Sequence, residues 1–586
     1  MNKKDLIPVI LLALLIPAWM FIDRTFIAPK YPAKTPAPVE QAATEAPLAG
    51  NTEGVALPET AAEAATKVAQ AIPEAVVVPD EEVTGELSND IVKLTVTSLG
   101  GGIKTATLLE YPKFKGEPDP VVLDFSGATA LAYEGLAGIG DQESLNIKTL
   151  DDSKTAVFTK TWKGGTAFER TITLGNGYLL TIKDRFINSS PEPWNIPAIR
   201  ILTGPMQNPP TIKAMKGVSI LGVDSYAPIA GINYWGRKLN KLFKEAGKPE
   251  TLDAVPEGMS NMPVDWVAAK NKFFTQILSP TEPIATMALL CQRDPAEKGI
   301  LPSEIRAALA FKPAAVNAGD ALELDYTYFI GPKKYSTLEA VGNNMQGVME
   351  FETTGIFSFM NWLMEPARRA LLWTLNLFYG IVRNYGIAII LLTLLVRILF
   401  WPLTHKSTES MRRMQEIQPE VKALQAKYGK ANPQKLQQET MKLYKEKKVN
   451  PMGGCLPMVV QIPVFIALFT VLRNAIELRY AGFLWISDLS TAENLFAGQI
   501  PFVGSLNILP LLMSASMVWQ QKMTPTAVAT PEQQQQQKMM TFMMPIMMLF
   551  FFYTMPSGLV LYWTTSNLLM IAQTGLRNLK KKKAEA

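Results

Sequence analysis

Between residues 386 and 575 the chain alternates apolar runs with polar gaps, and its basic residues fall in every second gap. The runs are 386–401, 455–472, 501–519, 539–555 and 558–572, the last needing to extend towards Gly575 to cross a bilayer. The gap 406–448 holds eleven Lys and Arg residues, and the tail carries Lys580-Lys581-Lys582-Lys583. The gap 478–500 holds only Arg479, and Pro556-Ser557-Gly558 reads as a tight turn. A sixth run, 6–22, follows Lys3-Lys4. As a helix it rises about 25 Å, short but sufficient to span. It reads as a retained anchor, because no small-residue cleavage site follows closely. Six crossings with both termini in the cytoplasm put both basic segments inside and 478–500 outside, as the positive-inside rule requires.

The rest of the chain divides by composition. Residues 1–28 form the N-terminal transmembrane anchor. Residues 29–85, rich in Pro, Ala, Glu and Thr, read as an extended, disordered linker. Residues 86–350 read as an all-β domain outside the cytoplasm. Leu322-Glu323-Leu324-Asp325-Tyr326-Thr327-Tyr328 alternates with the period of a half-buried strand. Two strands flank Gly175-Asn176-Gly177, and 91–96 is a further candidate before Gly100-Gly101-Gly102. Residues 351–377 read as an amphipathic helix on the outer interface. Phe357, Met360, Met364, Ala367, Leu371 and Leu375 recur at helical spacing, with Asn361, Glu365, Arg368 and Arg369 largely on another face. The second span occupies 378–405, a cytoplasmic helical hairpin 406–449, spans three to six 450–578, and the basic tail 579–586. In the hairpin, Met411, Met414, Val421, Leu424 and Tyr428 mark one apolar stripe, Gly429 suits a helix end, and Asn432-Pro433 suits a helix start.

Of 586 residues, 48% are hydrophobic and 19% charged, and the mean hydropathy is +0.09. His405 is the single histidine and the cysteines are Cys291 and Cys455, which excludes two-histidine zinc sites and a disulfide framework. There is no GxxxxGK[ST] motif, no HExxH and no pair of membrane carboxylates, so a nucleotide motor, a metalloprotease and an aspartyl intramembrane protease are not expected. No metal or cofactor is expected. A net charge of +5 is too small to imply a specific nucleic-acid partner.

The residue that carries the most chemistry is Arg397, inside the run 386–401. An arginine at the centre of a span costs about 2.5–3.5 kcal/mol on insertion scales, so it faces a polar cavity or snorkels to an interface. Thr393 lies one turn earlier on the same face. No Asp or Glu occurs in the other apolar runs, so a guanidinium facing a wet groove is left to meet a passing carboxylate. Gln461, Ser514, Ser516, Gln520, Thr564, Thr565, Ser566 and Asn567 could line such a groove, although interhelical hydrogen bonding explains residues of these types equally well. Sixteen of 27 methionines lie beyond residue 386, which suits either an adaptable apolar surface or simple packing against lipid.

Asn450-Pro451-Met452-Gly453-Gly454-Cys455-Leu456-Pro457, followed by Gln461-Ile462-Pro463-Val464-Phe465, resembles the third span of the YidC family of membrane protein insertases, within the Oxa/Alb superfamily. Val396-Arg397 before Pro402-Leu403-Thr404 resembles its second span. Glu477-Leu478-Arg479, Phe483-Leu484-Trp485-Ile486-Ser487-Asp488-Leu489, Gln521-Lys522-Met523-Thr524-Pro525 and Pro556-Ser557-Gly558-Leu559-Val560-Leu561-Tyr562-Trp563 continue the match in order. The outer domain and anchor resemble the Gram-negative branch, with Leu109-Glu110-Tyr111-Pro112-Lys113 the best local echo. The resemblance implies five helices around a hydrophilic groove, an N-terminal anchor, and a large periplasmic β-supersandwich domain of the kind seen in sugar mutarotases. It implies an inner-membrane insertase and folding chaperone, not an enzyme. Its groove would contain Arg397, Thr393, Gln461, Ser514, Asn567 and Trp563, where relatives often carry tyrosine at the last. The hairpin would engage substrate. The implied partners are nascent membrane proteins, the lipid bilayer, the Sec translocon with its accessory subunits, and the ribosome through the basic tail. Two other readings remain on the residues alone. One is a transporter or anion channel using Arg397 as its binding charge, for which no inverted repeat is visible. The other is a sugar-binding or enzymatic receptor whose active part is the β domain.

Overall fold

The computed structural model describes residues 81–586 apart from 150–152, 209–220, 248, 257, 294–301, 352–360, 429–431, 448, 450–455, 498, 500–504, 524–530 and 586. The expected anchor, residues 29–80 of the expected linker, Phe357, Met360, Gly429 and Cys455 lie outside the described residues, and the last two linker residues already belong to the strand Thr84–Ser88.

The β domain contains two large antiparallel sheets. The nine-stranded sheet runs Gly231–Tyr234, Gly222–Ala227, Trp266–Lys270, Phe274–Pro280, Ala321–Pro332, Leu179–Asn188, Thr166–Leu174, Thr155–Trp162 and Asn146–Thr149. The six-stranded sheet centres on Thr286–Gln292 and Glu304–Phe311. The two meet where Trp266–Lys270 and Gly222–Ala227 pack on Glu304–Phe311. Trp266–Lys270 and Phe274–Pro280 are buried along their whole length, polar Lys270, Thr275, Gln276 and Ser279 included, so neither shows the alternation of a half-buried strand. The alternation at 322–328 and the hairpin around 175–177 both appear as strands, paired with each other through Leu179–Asn188. A four-stranded sheet, Thr84–Ser88, Val92–Thr97, Gly102–Pro112 and Pro120–Asp124, and a two-stranded one, Trp194–Ile196 with Ala314–Val316, are the smaller sheets among the described residues. The Gly100-Gly101-Gly102 turn needs glycine. The first two have φ of +68° and +57°, and a Cβ on Gly102 would lie 2.0 Å from the Ala130 carbonyl oxygen.

The helices are α1 (Leu239–Glu245), α2 (Tyr335–Val341), α3 (Asn361–Val382), α4 (Tyr385–Leu399), α5 (Trp401–Glu416), α6 (Gln418–Tyr428), α7 (Pro433–Glu446), α8 (Leu456–Asn474), α9 (Ile508–Met523), α10 (Pro531–Phe552) and α11 (Ser557–Glu585). Each of the five expected C-terminal runs forms a helix, yet among the described residues no helix is long and apolar enough to cross a membrane. The six-span expectation is therefore not met helix by helix. Phe400 leaves the helical path before Pro402, which ends α4 after 15 residues, or about 22 Å of rise. Helix α9 has 16 residues, α10 opens on a glutamine run, and α11 carries Thr564 to Asn567 in its apolar half. The outward surface of the bundle is nonetheless apolar. Trp373, Ile381, Leu399, Trp519, Met543, Phe550 and Leu568 are all exposed, a belt that water would not tolerate.

Two expectations from the sequence need correction. Arg368 is not on a polar face of α3. It is 1% exposed, on the same stripe as Met364, Leu372 and Leu375, because α3 packs on both α4 and α8 and its inner face is wider than an interfacial helix requires. The hairpin stripe is also not continuous. Helix α5 ends at Glu416, and α6 restarts at Gln418 with Pro419 in its first turn, where proline's missing N–H cannot continue the hydrogen-bond ladder of α5. Only Val421 and Leu424 join the α6–α7 core, with Leu443 and Tyr444. Met411, Met414 and Tyr428 stay half-exposed. Asn432 does cap α7, accepting from the Lys435 amide at 3.0 Å.

Candidate substrate groove

Helix α4 starts at Asn384, whose side chain accepts from the Ile387 amide, directly after Arg383 turns the chain with φ of +54°. Gly386, Ala388, Ile389, Leu392, Thr393 and Val396 face inward, while Ile387, Leu394, Leu395, Ile398 and Leu399 face outward. Thr393 is buried and bonds back to the Ile389 carbonyl at 2.6 Å, which satisfies its hydroxyl within its own helix. One turn later Arg397 is half-buried between the inward and outward faces.

The Arg397 guanidinium crosses to α11. Its Nη2 donates to Ser566 Oγ at 2.6 Å and to the Ser566 carbonyl at 3.0 Å, and Nη1 lies 4.0 Å from Met570 Sδ. Among the described residues no carboxylate is within ion-pair distance of it, and its Nε has no acceptor. From the sequence this arginine has no partner. The structure tethers it by one edge and leaves the other edge without an oxygen among the described residues. A guanidinium has five donors, and here Nε is sealed without an acceptor while Nη1 has only the weak Met570 sulfur, so a carboxylate or water reaches this edge only when the neighbouring helices part.

The other expected groove residues separate into two groups. Trp563 lies one turn before Ser566 on α11, so it shares that face. Its ring packs edge-on to Phe465 of α8 at 4.8 Å and tilted to Phe552 of α10 at 5.4 Å, filling the space between those helices. Asn567 points instead to α9, donating to Ser516 Oγ at 3.0 Å, and is 5% exposed. Ser514 donates to the Pro545 carbonyl of α10 at 2.9 Å. Asn567 and Ser514 thus act as glue between helices, the plainer of the two readings open for such residues. The Gln461 side chain lies outside the described residues. Ser566 is the site residue that the sequence did not rank. Its pairing with Arg397 spans 169 positions and has no local signal. A cavity of about 490 Å³ lies elsewhere, along the face of α7 formed by Gln434, Gln437, Gln438, Met441, Lys442 and Lys445.

Two family models match the chain. Residues 377–584 match the 60Kd inner membrane protein family, and residues 85–366 match the YidC periplasmic domain. The chain belongs to the YidC family. The membrane protein insertase YidC of Syntrophus aciditrophicus is 31% identical over 98% of this chain and 98% of its own length. That of Treponema denticola is 30% identical over the whole of both chains. Among solved structures, an active YidC insertase crystal structure with its first transmembrane domain resolved aligns with a TM-score of 0.33 at 18% identity, over 86% of this chain and 94% of that one. A galactose mutarotase related enzyme from Lactobacillus acidophilus covers 42% of this chain at a TM-score of 0.29. The assignment rests on the sequence matches. It makes the chain a membrane protein of the YidC type with a large β-rich periplasmic domain. The transporter and the sugar-directed receptor, both open on the residues alone, find no support among the named relatives.

Proposed function

We propose that this protein inserts nascent membrane proteins from the cytoplasm into the inner membrane, and chaperones their folding, through a groove whose charged member is Arg397. The observation that carries the reading is the half-tethered guanidinium on an otherwise apolar helix, held by Ser566 with no carboxylate beside it among the described residues. A substrate's polar outer segment must cross ~30 Å of hydrocarbon. A polar station part of the way across shortens that path, and the open edge of Arg397 favours acidic segments. The 15-residue α4 is shorter than the bilayer core, so the membrane thins around it or its flanking residues snorkel. The substrate's apolar segment then leaves along the exposed apolar belt, and its burial in lipid drives the step without nucleotide hydrolysis.

In this reading Thr393, Trp563 and Gln461 flank the groove, and Ser514 and Asn567 hold its walls. Both termini are cytoplasmic, and the hairpin 406–449, with Met411, Met414, Val421, Leu424 and Tyr428, engages arriving substrate. Sec translocon subunits and the ribosome, the latter through the basic tail, are proposed partners. The test is reconstitution into protein-free liposomes with a single-span substrate bearing an acidic tail, scored by protease protection. Nucleotide-free insertion that falls in Arg397→Ala and partly returns in Arg397→Lys supports the groove. Insertion unchanged in Arg397→Ala refutes the role of the charge.

A further inference from the structure

The segment 487–493, between α8 and α9, is used from two sides at once. From the β domain, Lys115 Nζ donates to the Ser487 carbonyl at 2.6 Å and Lys272 Nζ donates to the Ser490 carbonyl. From the helices, the Ser557 amide and hydroxyl both donate to the Thr491 carbonyl, at 2.7 and 2.8 Å, and the Gly558 amide donates to the Leu489 carbonyl at 2.8 Å. Gly558 must be this close, since a Cβ there would lie 3.1 Å from the Leu489 oxygen. Two residues further on, the Glu493 carboxylate is 7% exposed and accepts from the amides of Ile508 and Leu509, the first of α9. The same face of the β domain is pinned a second time. The Lys113 carbonyl accepts from Tyr480 Oη at 2.6 Å and from Arg479 Nη2 at 3.3 Å, while the Arg479 guanidinium stacks over Phe273 and Phe274. Burial lowers the Lys272 ammonium to about 8, partly offset by Asp488, so its carbonyl contact is made in a desolvated place where a hydrogen bond is strong.

We propose that residues 487–493 are a brace through which the β domain fixes the outer ends of α9 and α11, making Lys115 and Lys272 positioning residues for the groove. From Ser557 to Ser566 is nine residues of continuous helix, about 13.5 Å of rise. A helix that short transmits a displacement of its start to the serine that orients Arg397. The coupling therefore runs through a chain of hydrogen bonds and one rigid element. The brace stands on contacts outside the groove, but its effect on insertion rests on the Arg397 reading above.

The test uses the full chain in nanodiscs and hydrogen exchange. In Lys115→Met/Lys272→Met, the amides of Ile508, Leu509 and Leu511 and those at 557–560 should exchange at least about tenfold faster, the equivalent of ~1.4 kcal/mol, with the strands of the β domain unchanged. Lys115→Arg/Lys272→Arg should restore protection. Unchanged exchange at both helix starts overturns the brace. If the double variant also loosens the strands, the cut is made from the helix side with Glu493→Gln. That variant should release 508–511, and no release there overturns the proposal. Insertion assays separate the two readings. Loosened helix starts with normal insertion overturn the coupling and leave the Arg397 groove standing. Reduced insertion in the lysine variants together with normal insertion in Arg397→Ala refutes the groove charge and overturns the coupling through Ser566, leaving the brace as a structural contact.

Discussion

Two arginines, one in each half of the molecule, are held in opposite ways. Arg170 in the β domain has every donor occupied. Its Nε and Nη2 grip Asp184 at 2.8 and 2.7 Å, Nη1 reaches the carbonyls of Gly101 and Leu131, and Nη2 also reaches Tyr326 Oη at 3.1 Å. Tyr133 and Tyr326 hydroxyls complete Asp184, and the whole cluster is sealed from solvent. Arg397 in the helical half has one edge on Ser566 and no oxygen on the other among the described residues. A closed network of this kind finishes a core, because buried charge is tolerated only when its partners are complete. A half-closed one keeps capacity for something that arrives. The β domain uses its buried arginine for shape, and in the proposed reading the helical half keeps its arginine for binding.

The largest test of this contrast is Arg170→Met, which strands Asp184 in the core. It should cost about 3–5 kcal/mol, read as a shift in urea unfolding of the full chain in detergent. The double variant Arg170→Met/Asp184→Leu should recover much of that loss. If the single change costs less than about 1 kcal/mol, the two arginines are not different in kind. Next is Arg397→Ala, which removes a charge-assisted contact of about 1.5–3 kcal/mol. Insertion of an acidic-tailed substrate should fall roughly 10- to 100-fold, while urea stability moves little. A stability loss as large as that of Arg170→Met would erase the contrast. Ser566→Ala should be milder, about 1 kcal/mol, or roughly fivefold in insertion, since the guanidinium keeps the Ser566 carbonyl. An effect equal to that of Arg397→Ala would mean that the tether, not the open edge, is what matters. The smallest effect concerns Cys291, 1% exposed in the six-stranded sheet, where burial pushes the thiol up to about 12. In a Cys455→Ser background, maleimide at pH 8 should leave Cys291 unlabelled until urea unfolds the β domain, because the reactive thiolate is suppressed and covered. Prompt labelling of folded protein would show the β core to be looser than the closed Arg170 network requires.

The sequence was most informative where one physical rule acts over a short stretch. Alternation at 322–328, the candidate strand at 91–96 and the Asn432-Pro433 helix start all gave their local structure correctly, because period and capping are properties of a few adjacent residues. It misled where packing overrides pattern. Arg368 reads as polar by type, yet α3 is covered on that side, and the hairpin stripe reads as continuous across a break that Pro419 imposes. It was silent where partners are distant in the chain. Leu109-Glu110-Tyr111-Pro112-Lys113 and Glu477-Leu478-Arg479 are each notable as motifs, but only folding sets the Lys113 carbonyl against Arg479 and Tyr480.

By itself, then, the sequence determined the division into a β domain and an apolar helical half, the clustering of its basic residues in alternate gaps, and Arg397 as the odd charge among apolar neighbours. Those follow from composition and periodicity, which are additive along the chain. Tertiary structure alone decided that Ser566 rather than Asn567 receives the guanidinium, that Ser514 and Asn567 bind helices together, and that 487–493 joins the two halves. Adjacent residues on a helix point about 100° apart, so which of two neighbours meets a distant partner depends on how the helices are rotated and docked. That rotation is set by the packing of the whole bundle, and no short stretch of sequence contains it.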